Sequence, residues 1–168
     1  RPGPVWIDIP LDVQSSLVNY ASLKQYKAPR KNLPTPSVSQ INLLKKALSR
    51  AKRPIIIAGN GIRLGNAIKE FNDFLLKTNI PFVTSYLSVD LLPNNHKQYI
   101  GRLGIKGDRP GNFSLQNADL VISIGCHLSV ALTGFEYNLF ARDAKLFVVD
   151  IDRDEHKKNT VKINHFIH

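Results

Sequence analysis

Apolar positions change their spacing several times along the chain, and the changes outline alternating helices and strands. Ser37 is followed at the third position by Gln40, the spacing at which a capping hydroxyl and a back-reaching amide satisfy each other's free N–H groups, so a helix is predicted to start there. Ile41, Leu44, Ala47, Leu48 and Ala51 fall on one stripe, Lys45, Lys46, Arg50 and Lys52 project elsewhere, and Pro54 is expected to stop the helix. Ile55-Ile56-Ile57-Ala58 is wholly apolar and runs into Gly59-Asn60-Gly61, which predicts a strand buried on both faces and then a tight turn. Ala67, Ile68, Phe71, Phe74 and Leu75 recur at helical spacing, with Lys69 and Asp73 as an i,i+4 pair. Pro81 to Ser85, Asp119 to Gly125 and Lys145 to Asp150 predict further strands, and Val161 to Asn164 an edge strand. Strands alternating with helices need crossover connections. The expected fold class is therefore α/β, a doubly wound, Rossmann-like parallel sheet with helices on both faces, from about residue 37 to residue 168.

Upstream the pattern weakens. Residues 4 to 9 (Pro-Val-Trp-Ile-Asp-Ile) predict a short strand bracketed by Pro4 and Pro10, which fits the tail of a preceding domain over residues 1–14. Residues 11 to 36 carry Pro29, Pro34 and Pro36 with no sustained period, so 15–36 is read as a linker.

Composition narrows the possibilities. The chain has 168 residues, room for one full-sized domain, and no run of about 18 apolar residues such as a membrane helix needs. Cys126 is the only cysteine, which excludes an internal disulfide and a Cys-rich zinc site and suits a reducing, cytoplasmic setting. There is no Met, and the chain opens Arg1-Pro2-Gly3-Pro4, as expected of a piece of a longer protein. The net charge of +10 is local: residues 1–53 hold ten Lys and Arg against two Asp, and the remainder thirteen against eleven acids. That excess lies in linker and amphipathic helix without interleaved aromatics, so a solvated basic face is preferred to nucleic-acid binding.

In a doubly wound sheet, ligands lie beyond the carboxyl ends of the strands, where backbone N–H groups and helix N-termini face an anion. Gly59, Asn60 and Gly61 open a G-x-G-x-x-x-G run ending at Gly65, one residue longer than the dinucleotide fingerprint, and the second strand ends in Ser85-Tyr86 with no carboxylate for a ribose. Two readings stand: contact with a phosphate or dinucleotide, and a turn that packs a helix on the sheet. At Gly125-Cys126-His127, neighbours on extended chain point to opposite sides, so His127 is not placed to activate the thiol and is instead a candidate ligand contact. In Asp150-Ile151-Asp152-Arg153-Asp154-Glu155 a helix cap is preferred to a Mg²⁺ site, with Asp150 a candidate partner for a ribose. Gly101, Gly104, Gly107 and Gly111, with Lys106 and Arg109 among them, mark the stretch Tyr99 to Gly111 as a loop whose backbone passes close to something. The candidate nucleotide-binding set is thus Gly59, Asn60, Gly61, Gly104, Gly107, Gly125, His127 and Asp150. His96, His156, His165 and His168 show no metal-ligand spacing, and neither a catalytic nor a metal-binding residue is predicted.

Several stretches together resemble a known family. Gly3-Pro4-Val5-Trp6-Ile7-Asp8-Ile9-Pro10-Leu11-Asp12-Val13-Gln14 resembles the segment that closes the first domain of acetolactate synthase-like thiamine diphosphate enzymes. Arg53-Pro54-Ile55-Ile56-Ile57-Ala58-Gly59-Asn60-Gly61 resembles the start of their middle domain. Leu92-Pro93 with His96, the glycine loop to Gly107, Ala118 through Gly125, and Val149-Asp150-Ile151-Asp152 match later landmarks in order.

The resemblance implies a central domain carrying only the tail of the preceding pyrimidine-binding domain. It also implies a parent of homodimeric or homotetrameric build that acts on a 2-oxo acid as carboligase or decarboxylase. Thiamine diphosphate and Mg²⁺ (the magnesium ion) would be bound by pyrimidine- and pyrophosphate-binding domains outside this chain. Acetolactate synthases also hold FAD in the middle domain, in a structural role, whereas many relatives have lost it. Where they usually show G-A-R-F-D-D-R-x-T-G, this chain has Gly125-Cys126-His127-Leu128-Ser129-Val130-Ala131-Leu132-Thr133-Gly134. Both arginines are replaced, by His127 and Ala131, which weakens the case for FAD. Leu128-Ser129, Thr133-Gly134-Phe135 and Phe140-Ala141-Arg142 look more like the acetolactate synthase-like proteins of cell-surface polysaccharide gene clusters. The rivals are a stand-alone NAD- or FAD-binding protein of the deacylase kind, whose usual four-cysteine zinc module one cysteine cannot build, and a basic nucleic-acid-binding module.

Overall fold

The computed structural model describes residues 3–28 and 33–168; Arg1, Pro2 and Pro29 lie outside the described residues. The chain divides into two units, one ending at Asn32 and one running from Leu33 to His168.

The second unit is the predicted α/β domain. Helix α2 (Val38–Leu48) starts on Ser37, whose Oγ accepts from the Gln40 amide while the Gln40 side chain accepts from the Ser37 amide, the capping box read from the sequence. It ends at Leu48, ahead of Pro54. Six strands follow: β1 (Pro54–Ala58), β2 (Phe82–Thr84), β3 (Tyr99–Arg102), β4 (Leu120–Ile124), β5 (Lys145–Val149) and β6 (His165–Ile167). All pairings are parallel and the order is β3-β2-β1-β4-β5-β6. The chain winds outward from β1 to β3, then returns to begin the other half at β4. The topological switch point therefore lies between β1 and β4.

The apolar run in β1 becomes a two-sided core. Ile55 and Ile57 belong to one cluster, with Val83, Leu115, Val121, Leu146 and Val148. Ile56 and Ala58 belong to the other, with Phe71, Leu75, Phe82, Ile122 and Phe147. The alternation follows from the two-residue repeat of a strand, and each fully buried Ile or Phe contributes about 2 to 3 kcal/mol relative to exposure. Helix α4 (Ile68–Thr78) buries Phe71 and Leu75 on the second face, and Lys69 and Asp73 pair at 3.1 Å on its outer side. Helix α5 (Arg109–Gln116) buries Leu115 on the first. Single turns α3 (Gly61–Leu64) and α6 (Val130–Thr133) follow β1 and β4.

Three expectations need correction. Tyr99 to Gly111 is not one loop: it contains β3 and the start of α5. Gly101 sits inside the strand at φ 148°, where the register slips by a residue opposite Phe82 and Val83, so of the glycines that suggested a loop Gly101 marks an irregular strand and Gly111 lies in α5. The edge strand lies at His165–Ile167 rather than 161–164; Asn164 instead brackets Leu146, its amide donating to the Leu146 carbonyl and its Oδ1 accepting from the Leu146 amide.

The first unit supplies the third correction. Residues 4–9 form no strand, and Val5, Trp6 and Ile7 are largely exposed, because a strand is stable only with a partner for its ladder. Residues 11–36, expected to lack elements, hold a single turn α1 (Leu11–Gln14) and a 3₁₀ turn (Tyr20–Ser22) capped by the Asn19 side chain. Among the described residues no helix is long and apolar enough to cross a membrane.

Candidate functional site: the switch point and its strand-end loops

The candidate nucleotide contacts all fall at the carboxyl edge of the sheet, and the seam between β1 and β4 is the tightest place in it. The Gly59 amide donates to the Ile124 carbonyl at 2.9 Å and the Gly61 amide to the Gly125 carbonyl at 2.9 Å. The Ile62 amide turns back to the Gly59 carbonyl, and the Gly125 amide donates to Val149 on β5. A Cβ on Gly59 would stand 2.1 Å from the Gly125 oxygen, and one on Gly125, whose φ is +56°, 2.7 Å from the Gly61 Cα. These glycines admit one loop to another. Asn60 holds Arg63 through its Oδ1 at 2.8 Å, and Arg63 also pairs with Asp90 at 2.7 Å.

Gly104 and Gly107 do different work. Gly104, at φ 108°, lies against the α6 turn, where a Cβ would be 2.6 Å from the Ala131 carbonyl oxygen; Gly107 lies equally close to the Arg102 carbonyl oxygen. The Tyr86 hydroxyl ties three strand-end loops together. It accepts from the Lys106 amide at 2.6 Å and donates to the Ala131 carbonyl at 3.3 Å, which also accepts from the Ile105 amide. Below this loop Asp108 accepts from the Arg102 amide and its guanidinium, closing a ring that the Asp108 amide completes at the Arg102 carbonyl. The Arg102 guanidinium and then the amide hold the Asp108 carboxyl down at about 2. A cleft of about 800 Å³ beside β3 is lined by Asp90, Leu91, Leu92, Tyr99, Arg102 and Asp108; Arg102 and Asp108 are bound to each other and Asp90 to Arg63.

His127 and Asp150 stand at the ends of β4 and β5. His127 Nε2 is 2.7 Å from Glu155 Oε1, and Lys158 joins both: its Nζ pairs with the same carboxylate and lies 3.4 Å from the imidazole. Asp150 Oδ2 and His156 Nε2 are buried 3.4 Å apart, within ion-pair reach. The acidic run caps no α-helix, contrary to expectation: Asp150 accepts from the Asp152 amide and Asp152 from the amides of Asp154 and Glu155, so the carboxylates close turns instead. The terminal position of the following turn, Asp154, makes no side-chain cap of its own. Among the described residues no group of three or more His, Cys, Asp or Glu is placed to hold a metal ion.

Cys126 is buried while the His127 side chain is about half exposed, the divergence that extended neighbours impose. Burial pushes the thiol up to about 12, the Asp150 carboxylate adds to the rise, and the Ser85 and Ser123 hydroxyls oppose it. Such a sulfur is not a nucleophile.

Sequence reasoning missed Tyr86, Lys158 and the Arg63–Asp90 pair. Each reaches a residue at least 20 positions away, which no local pattern marks; only the Lys158–Glu155 contact, at i,i+3, has a spacing that the sequence could have shown.

The thiamine pyrophosphate enzyme central-domain family matches residues 41–167. A probable acetolactate synthase large subunit of Methanococcus aeolicus is 36% identical over 166 residues, covering 95% of this chain and 27% of that protein. The acetolactate synthase large subunit of Corynebacterium glutamicum is 34% identical over 156 residues, 92% of this chain and 25% of its own length. The isozyme 2 large subunit of Escherichia coli is 29% identical over 158 residues, 94% of this chain and 28% of its own length. The chain thus spans about a quarter of each relative it matches. It belongs to the central-domain family of thiamine pyrophosphate enzymes.

Proposed function

We propose that this chain is the central domain of a cytosolic, oligomeric thiamine diphosphate-dependent enzyme of the acetolactate synthase type, a carboligase or decarboxylase acting on a 2-oxo acid. Residues 1–14 would be the tail of a pyrimidine-binding domain, 15–36 a linker and 37–168 the central domain. Thiamine diphosphate and Mg²⁺ would be held by the pyrimidine- and pyrophosphate-binding domains of the parent, where the cofactor serves as an electron sink. The observation that carries this reading is the likeness to acetolactate synthase large subunits across more than 90% of the chain.

In this reading the domain's role is architectural. Its strand-end loops donate to one another, its sulfur is buried and protonated, and its histidines are engaged by carboxylates, an asparagine, aromatic rings or backbone carbonyls, so it contributes a rigid body between two cofactor-binding domains. Full-length parent protein, assayed with pyruvate, thiamine diphosphate and Mg²⁺, should release CO₂ or form an acetohydroxy product, and this chain alone should do neither. Turnover by this chain alone, or a parent that binds no thiamine diphosphate, would overturn the assignment.

A further inference from the structure

The place where a dinucleotide's diphosphate would lie in a doubly wound fold is the crevice at the switch point, and here that place is between β1 and β4. A diphosphate needs free backbone amides, glycines that let it come close, a helix N-terminus and nearby cations. The amides of Gly59, Gly61, Ile62 and Gly125 all donate within the chain. The space that the glycines open is taken up by the partner loop, since a Cβ on Gly59 or Gly61 would meet the Gly125 oxygen at 2.1 or 2.7 Å. The helix after β1 is a single turn.

The charges also run the wrong way. Asp150, Asp152 and Glu155 gather in the loop after β5, Arg63 is spent on Asp90, and His127 and Lys158 are both on Glu155. At Ala131 the chain offers a methyl side chain and a carbonyl already bonded to the Ile105 amide and the Tyr86 hydroxyl.

We infer that this crevice takes no FAD or other dinucleotide: it is closed by the chain itself, and the His127–Glu155–Lys158 network joins the β4 and β5 loops where a bound ligand would otherwise join them. The inference stands on the switch-point geometry and not on the parent's activity, so an inactive parent leaves it intact.

The test uses the full-length protein carrying this chain, purified without added flavin. Its flavin absorbance is read, its melting temperature is followed with FAD and with ADP as the adenine diphosphate probe, and amide exchange is measured over 59–62 and 125–131. No flavin absorbance, unchanged melting and unchanged exchange are expected. Retained flavin or a melting rise accompanied by slowed exchange in those two segments would overturn the inference; flavin bound without such protection lies elsewhere and supports it. Glu155→Gln, which keeps shape and removes charge, should speed exchange over 126–129 without creating flavin binding. Unaltered exchange there would remove the network from the explanation.

Discussion

Gly59 and Gly125 lie in backbone contact across the switch point, close enough that a Cβ on the first would stand 2.1 Å from the carbonyl oxygen of the second. Backbone cannot step aside as the tip of a flexible side chain can. Gly59→Ala is therefore expected to lower stability by about 3 kcal/mol or more, beyond an ordinary overpacking cost. Denaturant unfolding measures this, and a loss under about 1 kcal/mol would mean that the two loops are not held as described.

The Arg102–Asp108 ring gives a pH-dependent term. The folded Asp108 carboxyl lies at about 2, below its ordinary 3.8, so its contribution is fully present above 3.8 and lost as pH falls through about 2. Both side chains are more than a third exposed, and solvent screening limits the pair. Asp108→Asn should cost about 0.5 to 1 kcal/mol at neutral pH. The difference from the unaltered protein should close as pH falls toward 2, and urea melts across that range would detect a gap that stays constant instead.

Cys126 should be inert in the folded protein. With its thiol at about 12, the thiolate fraction at pH 8 is about one in ten thousand, and the sulfur is buried besides. Iodoacetamide should label it only at the rate at which the domain opens. Labelling of native protein as fast as that of unfolded protein would contradict the burial.

Tyr86→Phe removes one hydroxyl that serves two loops and leaves the Lys106 amide without that acceptor. The expected cost is about 1 to 2 kcal/mol. Faster hydrogen exchange at Lys106 and Ile105, with the sheet amides unchanged, would localise the loss to this junction.

The chemistry legible in the sequence was that of short range. The capping box at Ser37 and Gln40, the Lys69–Asp73 pair and the divergence of Cys126 from His127 depend on residues no more than four apart, whose relative placement a helix or extended chain dictates. The two-sided burial of β1, β4 and β5 was equally plain, because a run of apolar residues, interrupted only by Ser123 in β4, needs cover on both faces. Gly101 in β3 misled, because a glycine inside a strand and a glycine in a loop look alike until the neighbouring strand shows which it is.

What the sequence determined by itself was the class of fold, the ends of β1, β2, β4 and β5 and the family they resemble, since periodicity and local chemistry act within a few residues. Only the tertiary structure decided how the strand-end amides are used. Gly59-Asn60-Gly61 reads more readily as a turn that packs a helix on the sheet than as a contact for a phosphate, and what packs against that turn is Gly125, far along the chain and brought opposite by the parallel pairing of β1 with β4. Backbone donors must be satisfied by something, and here the second loop reaches them within hydrogen-bonding distance.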